Sequence, residues 1–349
     1  MLASILIWIV AIWIIFVILR SYLLIISLSA LFFLKETKSI IQSAKDHDPA
    51  AKSSFEVFLT YQGIHAIILH RAANALSKRL SLIARMIANY NRWITGIEIH
   101  PDAKIGAGTV VEPFATVQGD VEIGENCWIG PGACIMDGAR IGNNVKVFPG
   151  AIISIVSQDL KYNGEKTTTH IGDNTVIREY ATVHKGTIDK MKTSVGSNCL
   201  LMAYVHIAHD CMVGDHVIIA NSSQIAGHCT IEDWVIIEGV VAVQQFVTIG
   251  EQAFVAGGSL VRKNVPPYAK AAREPLSYCG VNSIGLRRRG FTDAQIANIE
   301  DVYRIIYIMN SNISQALKIA DLEIPNSNEK DTILKFIRNS DKGIMRGIS

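Results

Sequence analysis

The chain has 349 residues, enough for two or three domains and a large apolar core. Its 33 Lys and Arg residues nearly balance its 31 Asp and Glu residues, which leaves a formal net charge of +2. Because there is neither a strong overall charge nor a long basic run, the composition argues against nucleic acid as a partner. Six cysteines without a CxxC pair favour reduced thiols, as in a cytosolic protein, over a disulfide framework.

Residues 1–35 are predicted to form a transmembrane segment. Residues 2–18 carry no charge, Arg20 follows, and the chain stays apolar to Leu34. About 20 apolar residues span a bilayer, so the run accommodates one tilted helix. A cleaved signal peptide is the alternative, but no basic region precedes the long apolar run. Lys35, Lys38 and Lys45 come directly after it, which by the positive-inside rule places the rest of the chain in the cytoplasm.

Residues 36–96 are predicted to be helical, because apolar residues recur at helical spacing between residues 46 and 95. Asp48 and Pro49 suit a helix cap and first turn, and His65 and His70 are interpreted as packing residues. The stretch DPAAKSSFEVFLTYQGIHAIILHRAANAL, with GIEIHPDAKIG after it, resembles the N-terminal helical domain of serine acetyltransferases. The resemblance implies an assembly module, since it stops before the catalytic segments of those enzymes.

An aliphatic residue recurs every six positions over residues 99–153, 171–183 and 195–261. This period fits neither a helix nor an alternating strand, but it is typical of a β-helix whose coils have three six-residue sides. We therefore predict a mainly β fold, with a hexapeptide-repeat β-helix over residues 97–268. Two segments, 154–170 and 185–193, leave the repeat and are predicted to loop out. Four cysteines share one repeat position and are expected to be small core residues: Cys127, Cys199, Cys211 and Cys229.

Three hexads make one coil, so residues eighteen apart are predicted to stack. His209, Gly227 and Gln245 each follow an aliphatic position by two and form one predicted column, with His228 one step aside. We expect no metal here, because stacked coils should hold these side chains apart. A histidine can take a proton from a hydroxyl, Asp210 can orient its ring, and the Gly227 N–H can stabilise an oxyanion. The column therefore favours acyl transfer.

Six runs carry a specific resemblance: SQDLKYNGEKT, GSNCLLMAYVHIAHDCMVGD, IAGHCTIEDWVIIEG, AVQQFVTIG, VPPYAKA and GVNSIGLRRRGF. They resemble the acyl-[acyl-carrier-protein]–UDP-N-acetylglucosamine O-acyltransferase family over residues 97–345. The resemblance implies a left-handed parallel β-helix, a C-terminal helical domain over residues 269–349, and a homotrimer with active sites between subunits. It also implies transfer of a 3-hydroxyacyl chain from acyl carrier protein to the glucosamine 3-position of UDP-N-acetylglucosamine, the first step of lipid A biosynthesis, without a cofactor. With the N-terminal segment, it implies a bacterial inner-membrane location and a cytoplasmic catalytic domain.

The resemblance also implies roles for individual residues. It makes His209 the general base with Asp210 as its neighbour, Gly227 the oxyanion donor, and His228 a histidine close to the acyl thioester. Contacts to the sugar, acyl chain, nucleotide or phosphates are implied for Asp159, Lys161, His206, Gln245, Gly257, Asn282, Arg288 and Arg289. Gly257 follows Val255 by two residues, and we expect it to share the column of His209 and to leave the acyl groove open to long chains. A solvated basic turn, or a contact with the acidic carrier protein, is the other interpretation of Arg287–Arg289.

Two other functions remain open at this point. One is a serine acetyltransferase or another acyltransferase of the hexapeptide class, although VVEPFATVQGDVEIG lacks the Asp-His pair found in serine acetyltransferases. The other is a non-catalytic, membrane-tethered trimeric scaffold. Gln244 and Ile284 depart from the family pattern, which leaves open whether the acceptor sugar carries a 3-hydroxyl or a 3-amine. The acyl-chain length is open as well.

Overall fold

The computed structural model describes residues 37–42, 45, 53–309 and 312–347. The predicted transmembrane segment and the turn at Asp48 and Pro49 lie outside these residues. Within the described ranges, no helix combines the length and the apolar character that a membrane span requires.

Helices precede the β-helix. Residues 37–42 and 45 are helical, and residues 53–95 form α1 (Ser54–Thr60), α2 (Gln62–Ser77) and α3 (Ser81–Thr95). The Ser53 side chain caps α1 by accepting a hydrogen bond from the Glu56 N–H. Helix α3 ends at Gly96, whose φ of 72° suits glycine. His70 is buried against the first coils, in agreement with its interpretation as a packing residue.

The strands found in the described residues form three sheets, one for each side of the coil. Sheet 1 contains β1 (Glu98–Ile99), β4 (Thr116–Val117), β7 (Cys134–Ile135), β10 (Ile152–Ile155), β13 (Thr182–His184), β16 (His206–Ile207), β19 (Gln224–Ile225), β22 (Ala242–Val243) and β25 (Leu260–Val261). Sheet 2 contains β2 (Lys104–Ile105), β5 (Glu122–Ile123), β8 (Ala139–Ile141), β11 (Thr168–Ile171), β14 (Lys192–Val195), β17 (Met212–Val213), β20 (Thr230–Ile231) and β23 (Thr248–Ile249). Sheet 3 contains β3 (Val110–Val111), β6 (Trp128–Ile129), β9 (Lys146–Val147), β12 (Val176–Ile177), β15 (Leu200–Leu201), β18 (Ile218–Ile219), β21 (Ile236–Ile237), β24 (Phe254–Val255), β26 (Ala269–Ala272) and β27 (Ser277–Val281).

The register of the strands confirms the predicted repeat. Ile207 pairs with Ile225, one coil of eighteen residues further on. Ile152 pairs instead with Thr182, and Thr182 with His206, because the two predicted loops add residues to those coils. Every aliphatic position of the six-residue pattern is buried, and so are Cys127, Cys199, Cys211 and Cys229. Parallel sheets built from hexapeptide repeats fit a left-handed parallel β-helix.

The C-terminal part is helical, in agreement with the resemblance. It contains α4 (Ser283–Arg288), α5 (Asp293–Arg304), a π-helical turn (Ile305–Met309), α6 (Ile313–Glu323) and α7 (Asn328–Arg338). Thr292 and Gln295 form a reciprocal capping box at the start of α5. Tyr303 of α5 is fully buried, and its hydroxyl donates a hydrogen bond to the Pro267 carbonyl. This contact fixes the helices against the last coil of the β-helix.

Candidate active site

His209, Gly227 and Gln245 follow three consecutive strands of sheet 1, which places them at one corner of the β-helix, as their spacing predicts. Gly227 lies directly against the His209 ring: a Cβ atom at this position would be 2.6 Å from Nε2 and Cε1 of the imidazole. No real Cβ contact is that short. Glycine therefore allows the backbone to approach the histidine edge that faces the corner.

Asp210 holds the other edge of the His209 ring. Its Oδ2 lies 2.9 Å from His209 Nδ1, and both side chains are buried. The carboxylate also accepts hydrogen bonds from the Thr187 N–H and hydroxyl and from the Lys190 N–H. Burial alone would raise the pKa of Asp210, but the hydrogen bonds from Thr187 and His209 outweigh it and leave the pKa below its usual value. An ionised Asp210 keeps the proton on Nδ1 and leaves the lone pair on Nε2.

His228 is held in the same way by a second carboxylate. Its Nδ1 lies 2.8 Å from Asp189 Oδ2. Its ring stacks on Phe246 at 4.5 Å and stands perpendicular to the ring of His209, with 4.9 Å between the centroids. The two imidazoles are therefore fixed in orientation, each by a carboxylate on Nδ1.

A cavity of about 670 Å³ opens beside His209 and Gly227. Six of the predicted site residues line it: Asp159, Lys161, His206, His209, Gly227 and Gln245. The first two lie on the loop between β10 and β11, which folds back over the corner. Burial and the nearby His209 lower the pKa of His206, so its imidazole is neutral at pH 7 and acts as a hydrogen-bonding group. A larger cavity of about 1000 Å³ lies elsewhere, between α3 and the first coils, and none of the predicted site residues lines it.

The expectation that no metal ion binds at this column stays a prediction, but the side chains lie closer together than the stacking of coils alone predicts. Ligand atoms of Asp159, His209 and His228 all lie within 4.8 Å of one another. The loop after β10 brings Asp159 over the corner. His228 has a φ of 63°, a left-handed conformation that recurs at this repeat position, and its ring centroid lies 4.9 Å from that of His209. Position in the repeat alone underestimated how closely the three groups approach.

The placement expected for Gly257 is wrong. Gly257 follows β24 of sheet 3, whereas His209, Gly227 and Gln245 follow strands of sheet 1. Residues share a column only when whole coils of eighteen residues separate them, and Gly257 is not at such a distance from His209. It lies above Gly239 instead, and its N–H donates to Glu238 Oε2 at 2.9 Å.

Three of the four predicted nucleotide and phosphate contacts are also at sheet 3, whereas the fourth, Gln245, is at the sheet 1 corner. Asn282 and Arg288 line a third, smaller cavity of about 230 Å³ together with Phe254 and Lys270. Arg289 donates to Gln252 Oε1 at 2.6 Å, with its guanidinium 5.3 Å from the Trp234 ring. Arg287, which precedes Arg288 in α4, forms an ion pair with Asp293. A single chain therefore does not bring Asn282, Arg288 and Arg289 together with His209.

The repeat pattern does not identify Thr187, Asp189 and Lys190, which hold His228 and Asp210. They belong to the loop between β13 and β14, which was predicted as a loop without any role for its residues. The position of this loop in the repeat was a signal that its residues lie near His209. The loop leaves the β-helix after a sheet 1 strand, one coil before His209, and therefore at the same corner.

Comparisons with known proteins agree with this arrangement. Residues 264–345 match the family model described as UDP N-acetylglucosamine O-acyltransferase, domain 2. Residues 120–154 and 192–227 match the model for bacterial transferase hexapeptide repeats.

Similar proteins cover the chain more widely. The acyl-[acyl-carrier-protein]–UDP-N-acetylglucosamine O-acyltransferase of Trichlorobacter lovleyi is 45% identical over 253 residues, which are 71% of this chain and 97% of the relative. That of Pseudomonas entomophila is 40% identical over 249 residues, 71% of this chain and 96% of the relative. The structure of a UDP-N-acetylglucosamine acyltransferase from Bacteroides fragilis superposes with a TM-score of 0.70 at 45% identity, covering 72% of this chain and 98% of that one.

Proposed function

The chain belongs to the acyl-[acyl-carrier-protein]–UDP-N-acetylglucosamine O-acyltransferase family, and we propose that it catalyses the first step of lipid A biosynthesis. In this reaction a 3-hydroxyacyl chain passes from acyl carrier protein to the glucosamine 3-position of UDP-N-acetylglucosamine. The observation that carries the proposal is the contact between His209 and Gly227 at the mouth of the 670 Å³ cavity, with Asp210 behind the histidine.

His209 is the general base of the proposed mechanism. Its Nε2 takes the proton of the sugar 3-hydroxyl while that oxygen attacks the thioester carbon of the acyl donor. Asp210 accepts a hydrogen bond from Nδ1 and stabilises the imidazolium that forms. The proton then passes to the leaving thiolate, which restores the neutral histidine. Neither a covalent intermediate on the enzyme nor a cofactor is part of this scheme.

Gly227 stabilises the tetrahedral intermediate through its backbone N–H. Because it has no side chain, the thioester oxygen can approach both this N–H and the edge of His209. Asp159 and Lys161, on the loop after β10, line the same cavity and are proposed to contact the sugar and the acyl donor. Lys161 offers a cation, whereas Asp159 and the neutral His206 offer hydrogen-bonding groups for sugar hydroxyls.

A homotrimer explains why the predicted contacts lie at two corners. Asn282, Arg288, Arg289 and Gly257 are at sheet 3, and the base is at sheet 1. If the active site lies between subunits, the sheet 3 corner of one chain faces the sheet 1 corner of its neighbour. The arginines would then hold the diphosphate through bidentate hydrogen bonds. Gly257 would border the far end of the acyl chain and admit long donors.

The N-terminal residues 1–35 are proposed to anchor the enzyme in the bacterial inner membrane, with the catalytic domain on the cytoplasmic side. Two features of the sequence support this proposal: the uncharged run over residues 2–18 and the lysines that follow it. Deleting residues 1–35 should release an active enzyme from the membrane fraction. Digestion of the catalytic domain by a protease added from the periplasmic side would contradict the orientation.

Mass spectrometry of the reaction product tests the activity directly. Purified full-length protein is incubated with UDP-N-acetylglucosamine and a panel of 3-hydroxyacyl carrier proteins, and the acylated nucleotide sugar is detected. His209→Ala should lose about 10²–10⁴-fold in turnover, because general base catalysis contributes that much. His170→Gln, a histidine on sheet 2, is the matched control and should remain active. The absence of product with every donor, or turnover of His209→Ala within threefold of the unaltered enzyme, would refute the proposal.

A further inference from the structure

The active site contains a cluster of three side chains that could bind a metal ion: Asp159, His209 and His228. Their ligand atoms lie within 4.8 Å of one another, and they offer two imidazoles and one carboxylate. Two histidines, one carboxylate and an open position for water form a common ligand set for Zn²⁺. Proton abstraction by His209 needs only Asp210 as a partner, and the substrate contacts expected of Asp159 and His228 leave both side chains available to a cation when no substrate is bound.

The orientation of both imidazoles is the second observation. His209 Nδ1 is held by Asp210 at 2.9 Å, and His228 Nδ1 by Asp189 at 2.8 Å. A carboxylate can only accept at these contacts, so each neutral ring carries its proton on Nδ1 and its lone pair on Nε2. Histidine ligands of metal ions are oriented in this way, with the second ring nitrogen donating to a carboxylate. Both rings therefore already have the tautomer that a metal ion requires.

We propose that Asp159, His209 and His228 bind a divalent cation of the zinc class, and that the bound ion reversibly inhibits acyl transfer. This inference rests on the proposed function, in which the lone pair of His209 Nε2 removes the proton of the sugar hydroxyl. An ion coordinated by that lone pair blocks the base. It also occupies Asp159, a proposed sugar contact, and it therefore competes with the sugar nucleotide.

The distances require a small closure of the site. Ligand atoms of a tetrahedral zinc ion lie about 3.3 Å apart, given metal–ligand bonds of about 2.0–2.1 Å. The separation of up to 4.8 Å must therefore shrink. The two histidines are fixed by their carboxylates, whereas Asp159 lies on the loop between β10 and β11, next to the fully exposed Leu160. The closure requires this loop to move toward the histidines, and it requires the two imidazole rings to rotate if their nitrogens are too far apart for one ion.

Ligand chemistry and charge decide which cations fit. Imidazole nitrogens suit Zn²⁺ and Co²⁺, whereas Mg²⁺ and Ca²⁺ prefer oxygen ligands. Three carboxylates, Asp159, Asp189 and Asp210, surround the site and favour a divalent cation. Lys161 lines the same cavity and opposes binding, so we expect an affinity suited to reversible inhibition and not to a permanently bound ion.

Cobalt binding tests the site without depending on turnover. Co²⁺ is titrated into the full-length protein, and its visible absorption reports coordination by nitrogen and oxygen ligands. Asp159→Asn, on the surface loop, and His228→Gln should each weaken Co²⁺ binding at least tenfold. Asp189→Asn should weaken it about 10–100-fold, because it removes only the carboxylate behind His228. His170→Gln is the matched control and should bind Co²⁺ as the unaltered protein does.

Zinc inhibition is measured in parallel with the acyl transfer assay. Zn²⁺ should inhibit, a chelator should restore the rate, and raising the concentration of UDP-N-acetylglucosamine should raise the Zn²⁺ concentration needed. Equal Co²⁺ affinity in the unaltered protein, Asp159→Asn and His228→Gln would overturn the site, as would acyl transfer that is insensitive to Zn²⁺. A protein that binds Co²⁺ as expected but acylates no nucleotide sugar would support the site and refute the proposed function instead.

Discussion

The β-helix and helix α3 both carry strongly periodic apolar residues, yet only the β-helix buries them. Its aliphatic positions are buried from Ile99 to Val261. On α3, by contrast, Leu82 is 72% exposed, Met86 61% and Trp93 81%. In the β-helix each coil covers the next, so the repeat itself supplies the packing partner. A helical period shows that one face is apolar, but it does not show that this chain covers that face.

The contacts that hold α3 are small and polar. It faces the rest of the chain with Ala84, Asn91 and Thr95. Asn91 Nδ2 donates to the Ala66 carbonyl of α2 at 2.9 Å, and the Thr95 hydroxyl accepts from the Ile97 N–H, just beyond α3, at 3.1 Å. Hydrogen bonds and the close packing of small residues therefore position the helix, and its apolar face makes no contribution.

Truncation of a buried repeat residue should produce the largest loss of stability. Ile237→Ala removes a fully buried side chain from sheet 3, and we expect the free energy of unfolding to fall by about 2–5 kcal/mol. Met86→Ala, on the exposed face of α3, is the matched control and should change it by less than about 0.5 kcal/mol. Urea denaturation of both variants gives the comparison. Equal losses would show that the two regions do not differ in the way described.

A methyl group on Gly227 should have the next largest effect, on activity. Because a Cβ would lie 2.6 Å from the His209 ring, Gly227→Ala displaces the ring, and we expect turnover to fall by about 10²–10³-fold. Gly119 is a matched control, since it occupies the same repeat position and its Cβ would lie 2.8 Å from the His100 ring. Gly119→Ala should lose stability but retain turnover. If both variants are equally active, close approach to His209 is not required.

These glycines also show how far the sequence could predict the site. A coil of eighteen residues was sufficient to place Gly227 over His209, because the repeat fixes both register and corner. Gly257 was placed in the wrong column because its position within the six-residue repeat was considered, but not its distance from His209 in whole coils. The contact between Asp189 and His228 had no such rule behind it, because the path of a loop outside the repeat depends on its own turns and contacts.

Acid should destabilise both regions through buried histidines. Burial, and a smaller effect of Arg71, lower the pKa of His70 from 6.5 to about 4, and burial with His206 and His209 does the same for His184. Between pH 6.5 and about 4 the unfolded chain binds protons that the folded chain does not. Stability is therefore lost as the pH falls through this window, by up to about 3 kcal/mol for each histidine.

His70→Gln and His184→Gln separate the contributions of the helical region and the β-helix. Each variant should lose less stability between pH 7 and pH 4.5 than the unaltered protein, measured by urea denaturation at both pH values. A variant with the same dependence on pH as the unaltered protein would show that its histidine is not a buried neutral group.

Substitution on the exposed face of α3 should produce the smallest effect. Trp93 contacts Tyr90 with 6.1 Å between ring centroids, and both rings are exposed, so Trp93→Gln should lower the free energy of unfolding by less than about 1 kcal/mol. Turnover and KM should not change, because α3 contributes no residue to the cavity that contains His209. A loss of several kcal/mol would mean that another molecule covers this face in the assembled protein. In that case both regions would bury their periodic apolar residues, and the residues that cover α3 would belong to another molecule.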